Sequence, residues 1–201
     1  MKTFGDPVTN PMGWDKVHLN KLCLFKKTSV IPENIIQGTK YLALEDIEKE
    51  TGRIINYQLV DERELKSNKF SFDEDTVLYG KLRPYLNKVA LPSFKGICST
   101  EIIPLKPLLS ETNKYFIAQI MRWSGFVMFA DERSSGANLP RISPKKVEEY
   151  PTIKPPLALQ NQFAETIQAI AAQKQQAQAS LEKSNTLFNS LLQRAFKGEL
   201  T

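Results

Sequence analysis

One stretch near the C-terminal end most constrains the fold, because it predicts a single long helix. No proline or glycine occurs between Leu157 and Lys197, and Pro155 and Pro156 stand just ahead of it, where proline is tolerated at a helix start. A helix over residues 159–197 would be about 58 Å long at 1.5 Å per residue. Since a small domain is about half that wide, we expect most of this helix to pair with another long helix.

Apolar and small residues recur along this helix at heptad spacing. Alternating steps of three and four keep one stripe of a supercoiling helix turned towards its partner, and only Lys174 interrupts the stripe. The alternative is a helix that lies along its own domain. We assign the stripe to a coiled-coil dimerisation seam of Phe163, Ile167, Ile170, Ala177, Leu181, Phe188 and Leu191, with Ser184 and Ala195 at two further positions.

Composition indicates a globular chain with a real core. The 201 residues are 41% hydrophobic, with a net charge of +5 and a pI near 9.1, which favour an anionic partner. No stretch approaches the roughly 18 apolar residues of a membrane span, and the N-terminus lacks the apolar segment of a signal peptide. Cys23 and Cys98 form no metal-binding pattern. We expect a cytoplasmic protein without a membrane partner.

Short runs of β-forming residues separated by turn residues follow a loop-like lead-in over residues 4–16. The predicted strands are Tyr41–Leu44, Arg53–Tyr57, Thr76–Tyr79, Lys88–Leu91 and Glu101–Leu105. Thr112–Trp123 predicts an amphipathic helix, and Ser143 with Pro144 predicts the capped start of a short one. The fold class is therefore α+β, with a globular domain over residues 1–150, a proline-marked neck over 151–158 and the long helix over 159–198.

The motifs of common enzyme classes are missing. There is no GxGxxG, no phosphate-binding loop ending in Lys-Ser/Thr and no GxSxG elbow, and His18 is the only histidine. Acidic clusters occur at Glu45–Asp46, Asp61–Glu62 and Asp73–Asp75. They leave open a metal-dependent nuclease, but their position at turns beside lysines favours solvated surface. We expect a non-catalytic chain without a metal or a cofactor of its own.

The distribution of charge along the chain indicates a DNA-binding function. Residues 44–75 hold ten acidic and five basic residues, whereas residues 80–106 hold five basic residues and one acidic residue, Glu101. Turns that present Lys, Arg and Tyr suit phosphate contacts, and Arg can fork onto guanine; the alternatives are plain solvated loops and, for Tyr85, a core position. The predicted DNA-binding residues are Lys81, Arg83, Tyr85, Lys88, Lys95, Arg133, Asn138 and Arg141.

Six segments in order along nearly the whole chain carry a family resemblance. They are Gly38–Leu42, Val77–Lys88, Gly96–Glu101, Ser135–Ile142, Pro155–Gln160 and Leu191–Leu200. With these segments the chain resembles the DNA specificity subunit of Type I restriction–modification systems. The resemblance implies a target recognition domain followed by one conserved spacer helix, whereas family members usually carry two such units whose helices pair antiparallel. This chain is similar to one unit, either a natural half-length form or a fragment.

The resemblance also implies the partners. These are double-stranded DNA, methyltransferase subunits that bind S-adenosylmethionine and flip the target adenine, and a restriction subunit. Two copies pairing through their helices would form a homodimer that reads an interrupted palindrome, because a twofold protein requires a twofold site. One rival interpretation is a coiled-coil adaptor without specific DNA binding. Another is a fused nuclease or methyltransferase, against which stands the missing Asn-Pro-Pro-Tyr/Phe motif.

Overall fold

A computed structural model describes residues 3–25, 28–60 and 67–198. The chain divides into two compact units, Met1–Asn161 and Gln162–Thr201. The strands are β1 (Asp15–His18), β2 (Cys23–Leu24), β3 (Ser29–Val30), β4 (Lys40–Leu42), β5 (Gln58–Leu59), β6 (Lys69–Phe72), β7 (Val77–Gly80), β8 (Val89–Ala90), β9 (Gly96–Cys98), β10 (Ile102–Pro107) and β11 (Pro151–Lys154). The α-helices are α1 (Lys114–Arg122), α2 (Ser124–Glu132), α3 (Pro144–Glu148) and α4 (Leu157–Phe196).

The strands of the first unit form two larger sheets. One has the order β2-β10-β7-β8, and the other has the order β3-β6-β9-β4-β5. All pairs are antiparallel except β4 with β9, which run parallel with Tyr41 opposite Ile97. In the first sheet, Ile102 lies opposite Gly80 and Leu105 opposite Val77. This register places the turn after β7 at the start of β10.

One hydrophobic core cluster joins residues from both sheets. Its buried members are Leu42, Ile47, Phe72, Leu78, Ala90, Cys98 and Ile102. They come from β4, β6 and β9 of one sheet, from β7, β8 and β10 of the other, and from the loop after β4. Burial of apolar surface of this kind stabilises a fold by roughly 25 cal/mol per Å². The two sheets thus form the scaffold from which the connecting loops extend.

Helices α1 and α2 are separated at Trp123, where ψ of 142° takes the backbone out of the helical region. The side chain of Asn113 caps α1 by accepting a hydrogen bond from the amide of Phe116 at 3.0 Å. The buried face of α1 packs on the first sheet, and Phe126 of α2 meets the Tyr79 ring edge-on at 5.4 Å. The sequence pattern predicted one helix ending at Trp123 and did not indicate α2.

The α+β class is confirmed, as is the short helix at Pro144, whose cap Ser143 accepts from the amide of Lys146. The strand predicted over Arg53–Tyr57 is wrong. That segment makes a single isolated bridge, between Ile54 and Ile47, because no neighbouring strand offers it a continuous ladder. The predicted loop-like lead-in also contains core structure, since Phe4 is buried and packs edge-on against Phe116 at 5.0 Å.

The long helix α4 covers Leu157–Phe196, two residues ahead of the predicted range at both ends. At 1.5 Å per residue its 40 residues extend about 60 Å. Its start follows Pro155 and Pro156, and Gly198 with φ of 72° follows its end, which is the left-handed conformation that commonly terminates helices. No helix among the described residues is long and apolar enough to cross a membrane.

Candidate nucleic-acid interface

The structure joins the two loops that sequence analysis selected. The amide of Arg83, in the turn after β7, donates to the carbonyl of Pro140, in the loop after α2, at 2.7 Å. The amide of Ile142 donates to the carbonyl of Lys81 at 3.1 Å, and Leu82 bridges to Arg141. Backbone hydrogen bonds therefore fix both loops as one surface, which we call the joined loops (residues 80–87 and 133–142).

Each of the joined loops is also held from within. Arg83 and Asn87 flank a short 3₁₀ turn and both have left-handed backbone, with φ of 51° and 49°. In the second loop, Ser135 and Arg141 exchange backbone hydrogen bonds of 3.0 and 2.9 Å. Left-handed non-glycine residues cost free energy and persist where the surroundings determine them. The loops thus have defined conformations that can present side chains in fixed positions.

Six of the predicted DNA-binding residues lie on the joined loops. Arg83, Asn138 and Arg141 are exposed, Lys81 is half-buried, and Tyr85 is 48% exposed, so the core interpretation of Tyr85 is wrong. The sixth of these residues, Arg133, is exposed as well.

Neighbouring groups hold two of the arginines in place. The Arg133 guanidinium stacks 3.9 Å from the centroid of the Phe129 ring, and its backbone carbonyl accepts from the Lys146 ammonium at 2.6 Å. The Arg141 guanidinium pairs with the Glu101 carboxylate at 3.2 Å. An anionic ligand at the joined loops would compete with Glu101 for Arg141.

The other two predicted residues lie elsewhere. The Lys88 ammonium points into the domain and donates to the carbonyl of Leu44 at 2.8 Å. Burial lowers the pKa of Lys88, and the charges of Glu45 and Asp46 offset part of this effect. Lys95 is exposed and lines a hollow with Lys106, at the far end of β10 from the joined loops. The structure therefore separates Lys88 and Lys95 from the other six.

The acidic clusters do not form a metal site in the described part of the chain, where no group of three potential ligands is close enough to hold an ion. Asp46 is buried and accepts from the amide of Ala43 at 2.8 Å, so the solvated-surface interpretation is wrong for this residue. Asp73 and Asp75 both approach Lys106, at 2.5 and 3.7 Å. The third cluster, Asp61–Glu62, lies outside the described residues.

The basic segment 80–106 therefore presents less free charge than its composition indicates. Lys106 is paired with aspartates, Lys88 is turned inward, and Glu101 is paired with Arg141. Sequence alone could not show this pairing, because Lys106 and Asp73 meet through the fold rather than through spacing along one element. On the joined loops, Arg133 and Arg141 pair with Glu132 and Glu101, whereas no ion pair of Lys81 or Arg83 occurs among the described residues.

The predicted seam of α4 is largely exposed in the single chain. Ile170 is 55% exposed, Leu181 54%, Phe188 61% and Leu191 41%, and Ala177 is also exposed. Phe163 and Ile167 are half-buried. Exposed apolar side chains at heptad spacing are typical of a helix that packs on another helix. Leu187, Leu192 and Phe196, which were not assigned to the seam, are exposed apolar residues on the same helix.

The fold is that of the specificity subunits of Type I restriction–modification systems. The HsdS subunit from Thermoanaerobacter tengcongensis matches with a TM-score of 0.69 and 21% identity, over 92% of this chain and 49% of that one. The S subunit from M. genitalium matches with a TM-score of 0.62 and 14% identity, over 95% of this chain and 48% of that one. A third structure concerns complex assembly and conformational transition of the type I R-M system. It matches with a TM-score of 0.70 and 20% identity, over 92% of this chain and 49% of that one.

The sequence points to the same family. The chain is 33% identical over 168 residues to the Type I restriction enzyme EcoDI specificity subunit of Escherichia coli. The matched stretch covers 82% of this chain and 37% of that protein. No protein-family model matches the chain. The expected resemblance to Type I specificity subunits is thus confirmed. The chain spans just over a third of this curated relative and about half of each of the three solved chains.

Proposed function

We propose that the chain is a non-catalytic specificity subunit of a Type I restriction–modification system, in which residues 1–150 read one half of a DNA target. The observation that carries this proposal is the 33% identity to a named specificity subunit over 82% of the chain. The joined loops support it, because they combine exposed Arg and Asn side chains on a rigid backbone. Arg and Asn are the side chains best suited to paired hydrogen bonds with guanine and adenine edges.

In this proposal the chemistry belongs to partner subunits. Methyltransferase subunits would dock on the chain and bring S-adenosylmethionine, and a restriction subunit would join the assembly. The chain itself would bind no cofactor, and the complex would act in the cytoplasm on double-stranded DNA. The role of the chain is to select the site and to position the modification subunits over it.

The α4 seam would join two copies of the chain. A stripe of half-exposed Ile, Leu and Phe side chains on a helix of about 60 Å favours cover by a second long helix. A self-complementary pair of helices has twofold symmetry. Two recognition domains related by that axis would read an interrupted palindrome, with half-sites about one or two turns of roughly 35 Å apart.

Charge reversal of the joined loops tests the DNA-reading role. Lys81→Glu combined with Arg83→Glu should lower duplex affinity by at least tenfold, because each reversal replaces an attraction to phosphate with a repulsion. Lys16→Glu combined with Lys21→Glu makes the same change of charge at exposed positions outside the joined loops. Equal losses in both double variants would reduce the effect to net charge and contradict the proposal.

Sedimentation of the full chain tests the pairing. The wild-type chain should sediment as a dimer, and Leu181→Asp or Phe188→Asp should give a monomer, since a charge in a coiled-coil seam cannot be buried. A coiled-coil adaptor would also lose its dimer, so DNA binding must be measured in parallel. The affinity of a DNA reader falls steeply with salt, whereas an adaptor held by an apolar coil shows no such dependence.

A further inference from the structure

A wide hollow in the first unit lies next to the joined loops. It has a volume of about 950 Å³ and is open to solvent, and its lining includes the basic and aromatic side chains of Lys40, Arg53, Tyr57, Phe94 and Arg122 beside aliphatic and small residues. We call it the Lys40 groove. None of these residues belongs to the DNA-binding set predicted from the sequence. The described lining contains three cations and no acidic residue.

Two aromatic rings of the groove contact the Lys40 ammonium. The Lys40 ammonium lies 4.7 Å from the centroid of the Tyr57 ring and 4.5 Å from that of Phe94, and the two rings are themselves 5.2 Å apart. Among the described residues no carboxylate lies within ion-pair distance of Lys40. A lysine held by cation–π contacts loses little further freedom when it binds an anion.

The other two cations of the groove, Arg53 and Arg122, differ in the contacts that they make. The Arg53 side chain is 70% exposed and pairs with Glu48 at the rim at 3.1 Å. The Arg122 guanidinium donates twice to the carbonyl of Val89, at 2.7 and 3.3 Å, and its burial lowers its pKa. Arg122 therefore contributes positive charge from a fixed position. Arg53 would exchange its contact with Glu48 for a ligand, and Lys40 would contact a ligand from its place beside the two rings.

Backbone contacts connect the groove to the joined loops. The amide of Glu50 donates to the carbonyl of Leu86 at 3.2 Å, which attaches the turn before Arg53 to the turn that carries Arg83. The side-chain amide of Asn87 donates to the carbonyl of Arg122 at 3.2 Å. The turn over residues 83–87 of the joined loops is thus hydrogen-bonded to Arg122, which lines the groove, and to Glu50, next to the lining residue Thr51.

We propose that the Lys40 groove binds the sugar–phosphate backbone of the duplex beside the bases contacted by the joined loops. This inference rests on the DNA-reading function proposed above and extends its footprint. Lys40 and Arg53 would each neutralise one phosphate, and Tyr57, which is 41% exposed, would pack against the sugar edge. Contacts of this kind hold the register of a protein on DNA and carry no sequence information directly.

The salt dependence of binding tests the groove. We would measure duplex affinity against salt concentration for the full chain and for Lys40→Gln combined with Arg53→Gln. The log–log slope should become shallower by about two, because each lost phosphate contact removes roughly 0.9 from it. The ranking of target sequences should stay the same. The matched control, Lys16→Gln with Lys21→Gln, should leave the slope within about half a unit of the wild-type value.

A variant expected to bind DNA more tightly complements this test, because misfolding can explain a loss of binding but not a gain. Glu48→Gln frees Arg53 from its carboxylate partner and removes a negative charge from the rim, so the affinity for duplex DNA should rise by about twofold to fivefold. If the wild-type chain binds DNA and all groove variants match it in slope and affinity, the groove inference is overturned and the proposed function stands. A wild-type chain with no affinity for duplex DNA would overturn both.

Discussion

The main-chain amide of Arg83 donates a 2.7 Å hydrogen bond to the carbonyl of Pro140. Together with the hydrogen bond from Ile142 to Lys81 and the bridge between Leu82 and Arg141, this contact joins the turn after β7 to the loop after α2, although the two segments are far apart in the chain. It also explains why Arg83 is held in a left-handed conformation with φ of 51°, because the amide must face the second loop while the side chain remains exposed.

Arg83→Gly separates the backbone role of this residue from its side-chain role. Glycine adopts positive φ without steric cost, so the variant should be as stable as the wild type or more stable by up to about 1 kcal/mol. Its DNA affinity should fall, since the guanidinium is gone. Thermal unfolding and duplex binding, measured on the same preparation, check both parts. A variant with lower stability and unchanged DNA affinity would contradict this account of Arg83.

Glu101→Gln should strengthen DNA binding. The Glu101 carboxylate pairs with Arg141 at 3.2 Å, and neutralising it frees the guanidinium and removes a negative charge beside the joined loops. Exposed ion pairs contribute about 0–1 kcal/mol, so the fold should lose little stability while duplex affinity rises severalfold at low salt. Arg141→Gln in the same background should remove the gain. A Glu101→Gln variant that binds more weakly than the wild type would contradict the assignment of Arg141 to the interface.

The start of α4 is fixed by a buried glutamine. Gln160 is fully buried; its Oε1 accepts from the Thr112 hydroxyl at 2.8 Å and its Nε2 donates to the carbonyl of Pro155 at 2.9 Å. Gln160→Leu leaves these groups without their partner, which should cost about 1–3 kcal/mol and lower Tm by several degrees. Gln162→Leu, exposed two residues further along α4, is the control and should change Tm by a degree or two. Equal shifts in the two variants would contradict the structural role of Gln160.

Asp73 should contribute a small acid-sensitive part of the stability. Burial raises the pKa of its carboxyl, but hydrogen bonds from Lys106 and Thr76 lower the pKa by more than burial raises it. The net pKa is therefore below the usual value near 3.8. Because the folded pKa is depressed, this stabilisation is present above about pH 4 and is lost as the pH falls through the folded pKa.

Asp73→Asn measures that contribution. The difference in Tm between the wild type and this variant should be greatest near pH 5–7 and should shrink below pH 4. High salt should reduce it as well, since the Asp73 side chain is 53% exposed and solvent screens the pair. A difference that grows on acidification would mean that the carboxylate is destabilising in the folded chain.

Features that depend on local sequence were predictable, and features that depend on contacts through space were not. The proline-free run gave α4 to within two residues at each end, and Ser143 with Pro144 gave the start of α3. The strand predicted at Arg53–Tyr57 failed because a β-forming run needs a neighbouring ladder, which only the fold supplies. The α1–α2 break at Trp123 carries no proline or glycine of its own.

The candidate site was predictable in the same limited sense. Turn residues and basic side chains identified both joined loops, and six of the eight predicted residues lie on them. Composition could not show that the Lys88 ammonium turns inward to Leu44. Nor could it find the Lys40 groove, since Lys40, Tyr57 and Phe94 come from three separate segments and lie close together only in the folded chain.

Selection of duplexes from a random pool tests the central claim most directly. The full chain, alone and with its cognate methyltransferase subunit, would be incubated with the pool, and the bound DNA sequenced. The account predicts enrichment of one interrupted palindrome by the wild-type chain, with enrichment lost in the Lys81→Glu, Arg83→Glu double variant and the palindrome lost in Leu181→Asp. A wild-type chain that enriches no sequence under either condition would contradict it.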